Sequence, residues 1–257
     1  MSIELWYTVD GPEDAPVLVL GNSLGTTVEM WEPQLPALTE RFRVVRYDHR
    51  GHGRSPVQVG EYRLEELGGD LLAMLDALEL ERVHLAGLSL GGMVAMWVAA
   101  NAPERVDHLA LLCTSARLGP PEMWRARAET VLTQGTEAIA DVIVGRWFTP
   151  GYATRLPEAV RWARGLLTST SAVGYAGCCA AVEHMNLLPV LEKITAPTLV
   201  IGGEHDPATP PEAHAKLIAE GIPGARLEIV PDAAHLANVE QPDVVNRLLL
   251  EFFGGVA

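Results

Sequence analysis

Short apolar runs recur along this chain at intervals set by longer amphipathic stretches. The runs at 17–20, 44–47, 83–88, 109–113, 198–202 and 227–230 are too short for helices and rich in valine, isoleucine and leucine. Each predicts a strand, and residues 2–7 read as a first strand ahead of them. Helical periodicity fills intervals such as 64–80, 93–100 and 211–221. Strands alternating with helices predict a mainly parallel sheet covered by helices on both faces, an α/β architecture. In such a sheet the ligand crevice lies outside the carboxyl ends of the strands.

The alternation stops between 116 and 192. That stretch holds no strand pattern, but it carries Trp124, Trp147 and Trp162, several arginines, and breakers at Pro150, Gly151 and Pro157. It reads as a helical insertion, a cap folded over the crevice as a lid. The organisation expected is therefore a core from 1–115, a cap from 116–192 and the rest of the core from 193–257. The bland alternative is extra helices packed on one side of the core. No internal repeat or low-complexity tract is evident.

One junction stands out within this pattern. The 83–88 run ends in Gly87-Leu88-Ser89-Leu90-Gly91, and a helix-forming stretch follows at once. A G-x-S-x-G between strand and helix is a nucleophile elbow. The glycines let the two backbones approach, and Ser89 is lifted above the sheet edge at a helix N-terminus. A serine hydroxyl needs a base to take its proton, and the base needs a carboxylate to fix its tautomer. Asp206 follows the 198–202 run, and His235 lies in the loop after the 227–230 run. Both are thereby placed at the same edge as Ser89. Asp232 is a second candidate partner for His235, with a loop cap as its plainer role. His205 and Glu204 read as polar loop residues, and His84, inside an apolar strand, reads as a satisfied core histidine. His108, His184 and His214 show no partner pattern. An oxyanion needs backbone donors. Leu90 N–H follows from the elbow, and Leu24 N–H, with Ser23 as the alternative, from the loop Gly21-Asn22-Ser23-Leu24-Gly25.

Composition narrows the partners. The chain has 257 residues, 48% of them hydrophobic, enough for one sizeable core. Its net charge of −14 argues against nucleic acid and against an anionic membrane surface. No apolar run approaches the ~20 residues of a membrane span. The three cysteines, Cys113, Cys178 and Cys179, lack metal-ligand spacing and read as free thiols of a cytoplasmic protein. No metal and no cofactor is expected. The oligomeric state is not legible.

With these residues in view, the chain resembles the α/β-hydrolase family over nearly its whole length. The order Ser89…Asp206…His235, the loop Asp48-His49-Arg50-Gly51-His52-Gly53-Arg54-Ser55 and the run from His235 to Pro242 carry the likeness. The departure is at Asn22-Ser23, where most relatives have His-Gly. Counting back from Met30-Trp31, Leu24 falls where the oxyanion donor sits in the family. The runs 21–27 and 146–150, with Asp206-Pro207-Ala208-Thr209-Pro210-Pro211, are similar to one subgroup, the 3-oxoadipate enol-lactonases of bacterial aromatic catabolism. That resemblance implies a cofactor-free enzyme of the β-ketoadipate pathway, opening an anionic lactone through an acyl-serine. A cation is then needed for the free carboxylate. Arg146, beside Trp147 in the expected lid, is the candidate; Arg125, Arg161 and Trp124 follow. The competing expectations are an esterase or perhydrolase, a C–C bond hydrolase, or a non-catalytic small-molecule receptor on the same fold.

Overall fold

The apolar runs become strands of one sheet. The structure, a computed structural model, describes residues 2–255. The strands are β1 Tyr7–Asp10, β2 Val17–Gly21, β3 Arg43–Tyr47, β4 Val83–Leu88, β5 Val106–Leu112, β6 Thr198–Gly203 and β7 Arg226–Val230. They lie in the order β1-β3-β2-β4-β5-β6-β7. β1 pairs antiparallel with β3, and all other pairs are parallel. The central strands are buried on both faces, which is why they read as unbroken apolar runs and not as alternation.

Helices cover the sheet. The core contributes α1 Leu35–Leu38, α2 Leu64–Ala77 and α3 Leu90–Asn101 before the strandless stretch. That stretch, between β5 and β6, holds α4 Pro121–Gln134, α5 Glu137–Val144, α6 Pro150–Arg155, α7 Pro157–Ser169 and α8 Ala172–His184. The chain closes with α9 Ala215–Gly221, α10 Ala237–Glu240 and α11 Pro242–Phe253. α4 packs along α8. α8 in turn lies directly on the core: a Cβ on Gly174 would sit 2.1 Å from the carbonyl oxygen of Gly51. Among the described residues, no single helix is long and apolar enough to cross a membrane. The three cysteines are free and buried.

Several boundaries differ from the sequence reading, and three have a visible cause. The first strand begins at Tyr7, not at residue 2, because side chains capture the earlier amides. Ile3 N–H donates to Asp70 Oδ1 (2.8 Å) and Trp6 N–H to Ser55 Oγ (2.9 Å). The helix from Leu64 ends at Ala77, and Glu79 just beyond it has a φ of 56°. The helix expected from 211 starts at Ala215, since Pro210 and Pro211 have no N–H to give and shape a turn first.

The order of strands reverses between β2 and β4. The chain steps outward from β2 to β3 on one side and from β4 through β7 on the other, so the crevice opens above the carboxyl ends of β2 and β4. Gly21 ends β2 and is paired with Gly87 of β4. Ser89 stands two residues beyond.

Candidate active site

Ser89 is the only residue between β4 and α3. Its φ of 55° and ψ of −114° lie in a sparsely populated region that costs a non-glycine residue about 1–3 kcal/mol. The neighbourhood holds it there. Ser89 N–H donates to Leu112 O (2.9 Å), and Thr114 Oγ1 donates to Ser89 O (2.7 Å). No side chain fits beside it: a Cβ on Gly87 would sit 2.3 Å from the Gly91 carbonyl carbon, and one on Gly91 2.3 Å from Gly21 O.

The partner expected for His235 is the one it meets. His235 Nδ1 lies 2.8 Å from Asp206 Oδ2, with both residues buried. The same Oδ2 accepts from Thr209 Oγ1 (2.6 Å), while Oδ1 accepts the N–H groups of Ala208 (2.8 Å) and Thr209 (3.0 Å). Burial alone would raise the Asp206 pKa. His235 and the Thr209 hydrogen bonds outweigh it and hold the carboxyl below its ordinary value. An ionised Asp206 leaves Nδ1 as the protonated nitrogen and Nε2 free to act as a base. Asp232 lies exposed on the loop, its N–H donated to exposed Glu204 (3.1 Å). Buried Glu240 ties down the His235 loop, accepting Ala234 N–H (2.9 Å), Thr149 N–H (3.1 Å) and the Thr149 hydroxyl. Leu236 N–H donates to Trp147 O (2.9 Å). The segment 147–149 is thus anchored to the loop that carries His235.

The turn after β2 shows which amides remain unspent. Ser23 N–H faces Met30 Sδ (3.2 Å), Gly25 N–H donates to His52 Nε2 (3.0 Å), and Gly91 N–H donates to Asn22 O (2.9 Å). Among the described residues, the N–H groups of Leu24 and Leu90 have no such partner. Ser23, the sequence alternative, has its amide committed. The Asp48–Ser55 loop braces this turn from behind. His49 Nε2–H donates to Asn22 O (3.0 Å), and Asp48 Oδ1 accepts Val28 N–H (2.9 Å). Asn22 Nδ2 donates to Tyr47 O (2.7 Å), so the residue that departs from His-Gly serves to pin the loop to β3. Burial pushes His49 down to about 3 and His52 down to about 4, so both rings are neutral.

Ser89, His235, Ser23 and Leu24 line one cavity. Its remaining wall comes largely from the strandless stretch, including Arg146, Trp147, Trp124, Arg127 and Tyr175. Arg146 and Trp147 therefore line the cavity that holds Ser89. Arg125 and Arg161 do not: both are exposed, and Arg125 turns outward to Glu183 (2.5 Å). The residue missed is Arg127, whose guanidinium lies 4.3 Å above the Trp124 ring. The signal was available, since Arg127 stands three residues after Trp124 and so shares its helix face. Among the described residues neither Arg127 nor Arg146 has a carboxylate partner. His214, read as partnerless, places Nδ1 2.8 Å from Ser115 Oγ.

A mainly parallel sheet with a serine elbow, a buried Asp–His pair and two free amides at one crevice defines a class. The chain belongs to the α/β-hydrolase family, whose description, alpha/beta hydrolase fold, matches residues 16–242. It is similar to 3-oxoadipate enol-lactonase 2 of Acinetobacter baylyi, at 39% identity over 95% of this chain and 91% of that one. Among solved structures it is similar to the enol-lactonase from Burkholderia xenovorans LB400. That likeness has a TM-score of 0.95 and 41% identity, covering 98% of this chain and 96% of the other. A hydrolase from Pseudomonas aeruginosa PA01 matches with a TM-score of 0.94 and 46% identity, covering 98% and 94%. The chain is a hydrolase by fold and by kin.

Proposed function

We propose that this hydrolase opens the enol-lactone of 3-oxoadipate through an acyl-serine. The observation that carries the reading is the pair Arg127 and Arg146, free of carboxylate partners and lining the cavity that holds Ser89 and His235. A protein of net charge −14 that leaves two guanidinium groups uncompensated in one cavity is suited to a small anionic substrate. The likeness to two enol-lactonases supports the particular lactone.

In this mechanism Ser89 Oγ attacks the lactone carbonyl carbon while His235 Nε2 takes its proton. The imidazolium so formed faces Asp206, which keeps Nδ1 protonated and stabilises the charge. The tetrahedral oxyanion accepts from two preorganised donors, Leu24 N–H in the turn after β2 and Leu90 N–H at the N-terminus of α3. Collapse breaks the ring C–O bond, and His235 returns its proton to the departing enolate. The enol ketonises. Water, deprotonated by His235, then attacks the acyl carbon and frees Ser89 and 3-oxoadipate. Helices α4–α8 act as a lid, and the 147–149 anchor couples them to His235.

The test is turnover of freshly generated enol-lactone beside p-nitrophenyl acetate, for the wild type and Ser89→Ala. The expected result is rapid lactone loss that Ser89→Ala abolishes, with much weaker ester turnover. Strong ester turnover with little lactone opening would discard the lactone and leave an esterase.

A further inference from the structure

We propose that His84, Asp107 and His108 form a divalent-metal site, suited to Zn2+, at the end of the sheet opposite Ser89. The three side chains present one ligand atom each, all within 4.8 Å of one another. Two imidazole nitrogens and a carboxylate oxygen are the donor set preferred by Zn2+ and its late first-row neighbours. His84 lies five residues before Ser89 on β4, roughly 16 Å along the strand. The site is therefore remote from the hydrolytic chemistry and independent of its assignment.

What assembles the three residues is a register shift. Val83 pairs with Val106, but Leu85 pairs with Leu109, so β5 has one residue more than β4 across this step. A bulge of this kind is rare between parallel strands and re-aims side chains. Without it, Asp107 and His108 would point to opposite faces of the sheet. With it, both reach His84: Asp107 Oδ2 lies 3.3 Å from His84 Nδ1 and 2.9 Å from His108 Nδ1. Two ligands about 2.0–2.1 Å from a tetrahedral ion are themselves separated by a little over 3 Å.

A second observation points the same way. His84 Nδ1 is buried and has no hydrogen-bond partner among the described residues, because its approach to Asp107 is too poorly aligned to count as one. A buried ring nitrogen without a hydrogen bond, 3.3 Å from a carboxylate oxygen, is accounted for by an ion that both would ligate. The surroundings are those of a supported metal site. Arg82 Nη2 holds the other carboxylate oxygen, Oδ1, at 3.0 Å, which orients Asp107. His84 packs edge-on against Phe42 and lies beside Phe253, and His108 packs edge-on against Phe252. Burial lowers the His84 pKa and keeps its ring neutral. Burial works to raise Asp107, but His108 and Arg82 outweigh it and keep the carboxyl ionised.

The test is calorimetric titration of the intact protein with Zn2+ in a non-chelating buffer at neutral pH. The wild type should show one saturable site. Asp107→Asn and His108→Ala should each weaken it at least about tenfold, with folding of both checked by circular dichroism. His205→Ala, in the exposed group with Glu204 and Asp232, should leave it intact. A second readout is the visible spectrum of the Co2+-loaded protein, whose ligand-field bands should appear in the wild type and vanish in His108→Ala. Absence of saturable binding by the wild type overturns the proposal. So does binding that survives both variants or is lost in His205→Ala instead; Asp107 and His108 then form a simple hydrogen-bonded pair.

Discussion

Two histidine–aspartate pairs sit at opposite ends of the same sheet, and their hydrogen bonds are almost equal in length. His235 Nδ1 is 2.8 Å from Asp206, and His108 Nδ1 is 2.9 Å from Asp107. The difference lies in what else each carboxylate holds. Asp206 is enclosed, with 3% of its surface exposed, and its remaining acceptor sites are taken by Ala208 and Thr209. It has one task left, to orient a single imidazole. Asp107 is about one-third exposed in its side chain and shared among two histidines and an arginine. A pair distance alone therefore does not separate a base-orienting dyad from a ligand cluster. Saturation of the carboxylate by fixed backbone donors does.

The largest effect that breaks the comparison is on turnover. Asp206→Asn should lower kcat about 10⁴-fold, because an amide can no longer hold the productive tautomer of His235. Asp107→Asn, the same change at the other end of the sheet, should leave kcat within a factor of two. Steady-state rates of the two variants on one substrate decide it. A comparable loss in both would mean that the second cluster acts on the first.

A somewhat smaller effect comes from the histidines behind the oxyanion turn. His49 and His52 are fully buried, with pKa values pushed down to about 3 and about 4. Their ordinary value is about 6.5, so the unfolded chain binds these protons first. Stability is then full above about pH 6.5 and is lost as pH falls toward those folded values. At pH 5 each histidine costs about 2 kcal/mol relative to pH 7. Urea unfolding midpoints at the two pH values measure the sum. His52→Gln, which can still accept Gly25 N–H, should show a shallower decline. An unchanged slope would mean that His52 is already free to take a proton in the folded state.

What was legible in the sequence follows the same division between local and distant causes. The strands β2 to β7 could be read because burial on both faces leaves an apolar run, and Ser89, Asp206 and His235 because each sits at or just beyond the end of such a run. The start of β1 could not, since Ile3 and Trp6 give their amides to Asp70 and Ser55, far along the chain. Asn22 looked like a departure from a motif, and only the contact with Tyr47 O shows its use. The cluster at His84 was invisible for a sharper reason. It depends on a register shift between two strands, and register is set by pairing and not by the residues of either strand alone. The cavity arginines fall between these cases. Trp124 and Arg127 share a helix face by spacing, but nothing in that spacing says which face meets Ser89.

Those arginines extend the comparison to charge, with the smallest expected effect. At the far end of the sheet Arg82 is spent on Asp107. In the cavity Arg127 and Arg146 have no carboxylate partner among the described residues, although Arg125 and Arg164, on the same helical segment, pair with acidic neighbours. A guanidinium without a carboxylate still needs an anion when a ligand displaces water from around it. If the lactone carboxylate is that anion, Arg127→Ala and Arg146→Ala should each remove about 1.5–3 kcal/mol of binding, the range for hydrogen bonds to charged groups. That corresponds to a KM about 10- to 160-fold higher for the lactone. For neutral p-nitrophenyl acetate the same variants should change KM less than threefold, since no charge is lost. Arg125→Ala, whose side chain points to solvent, should change neither. Parallel KM measurements on the two substrates separate the outcomes. An equal rise on both would make the arginines walls of the cavity, with Arg127 serving to stack on Trp124; a selective rise for one variant alone would say which cation meets the carboxylate.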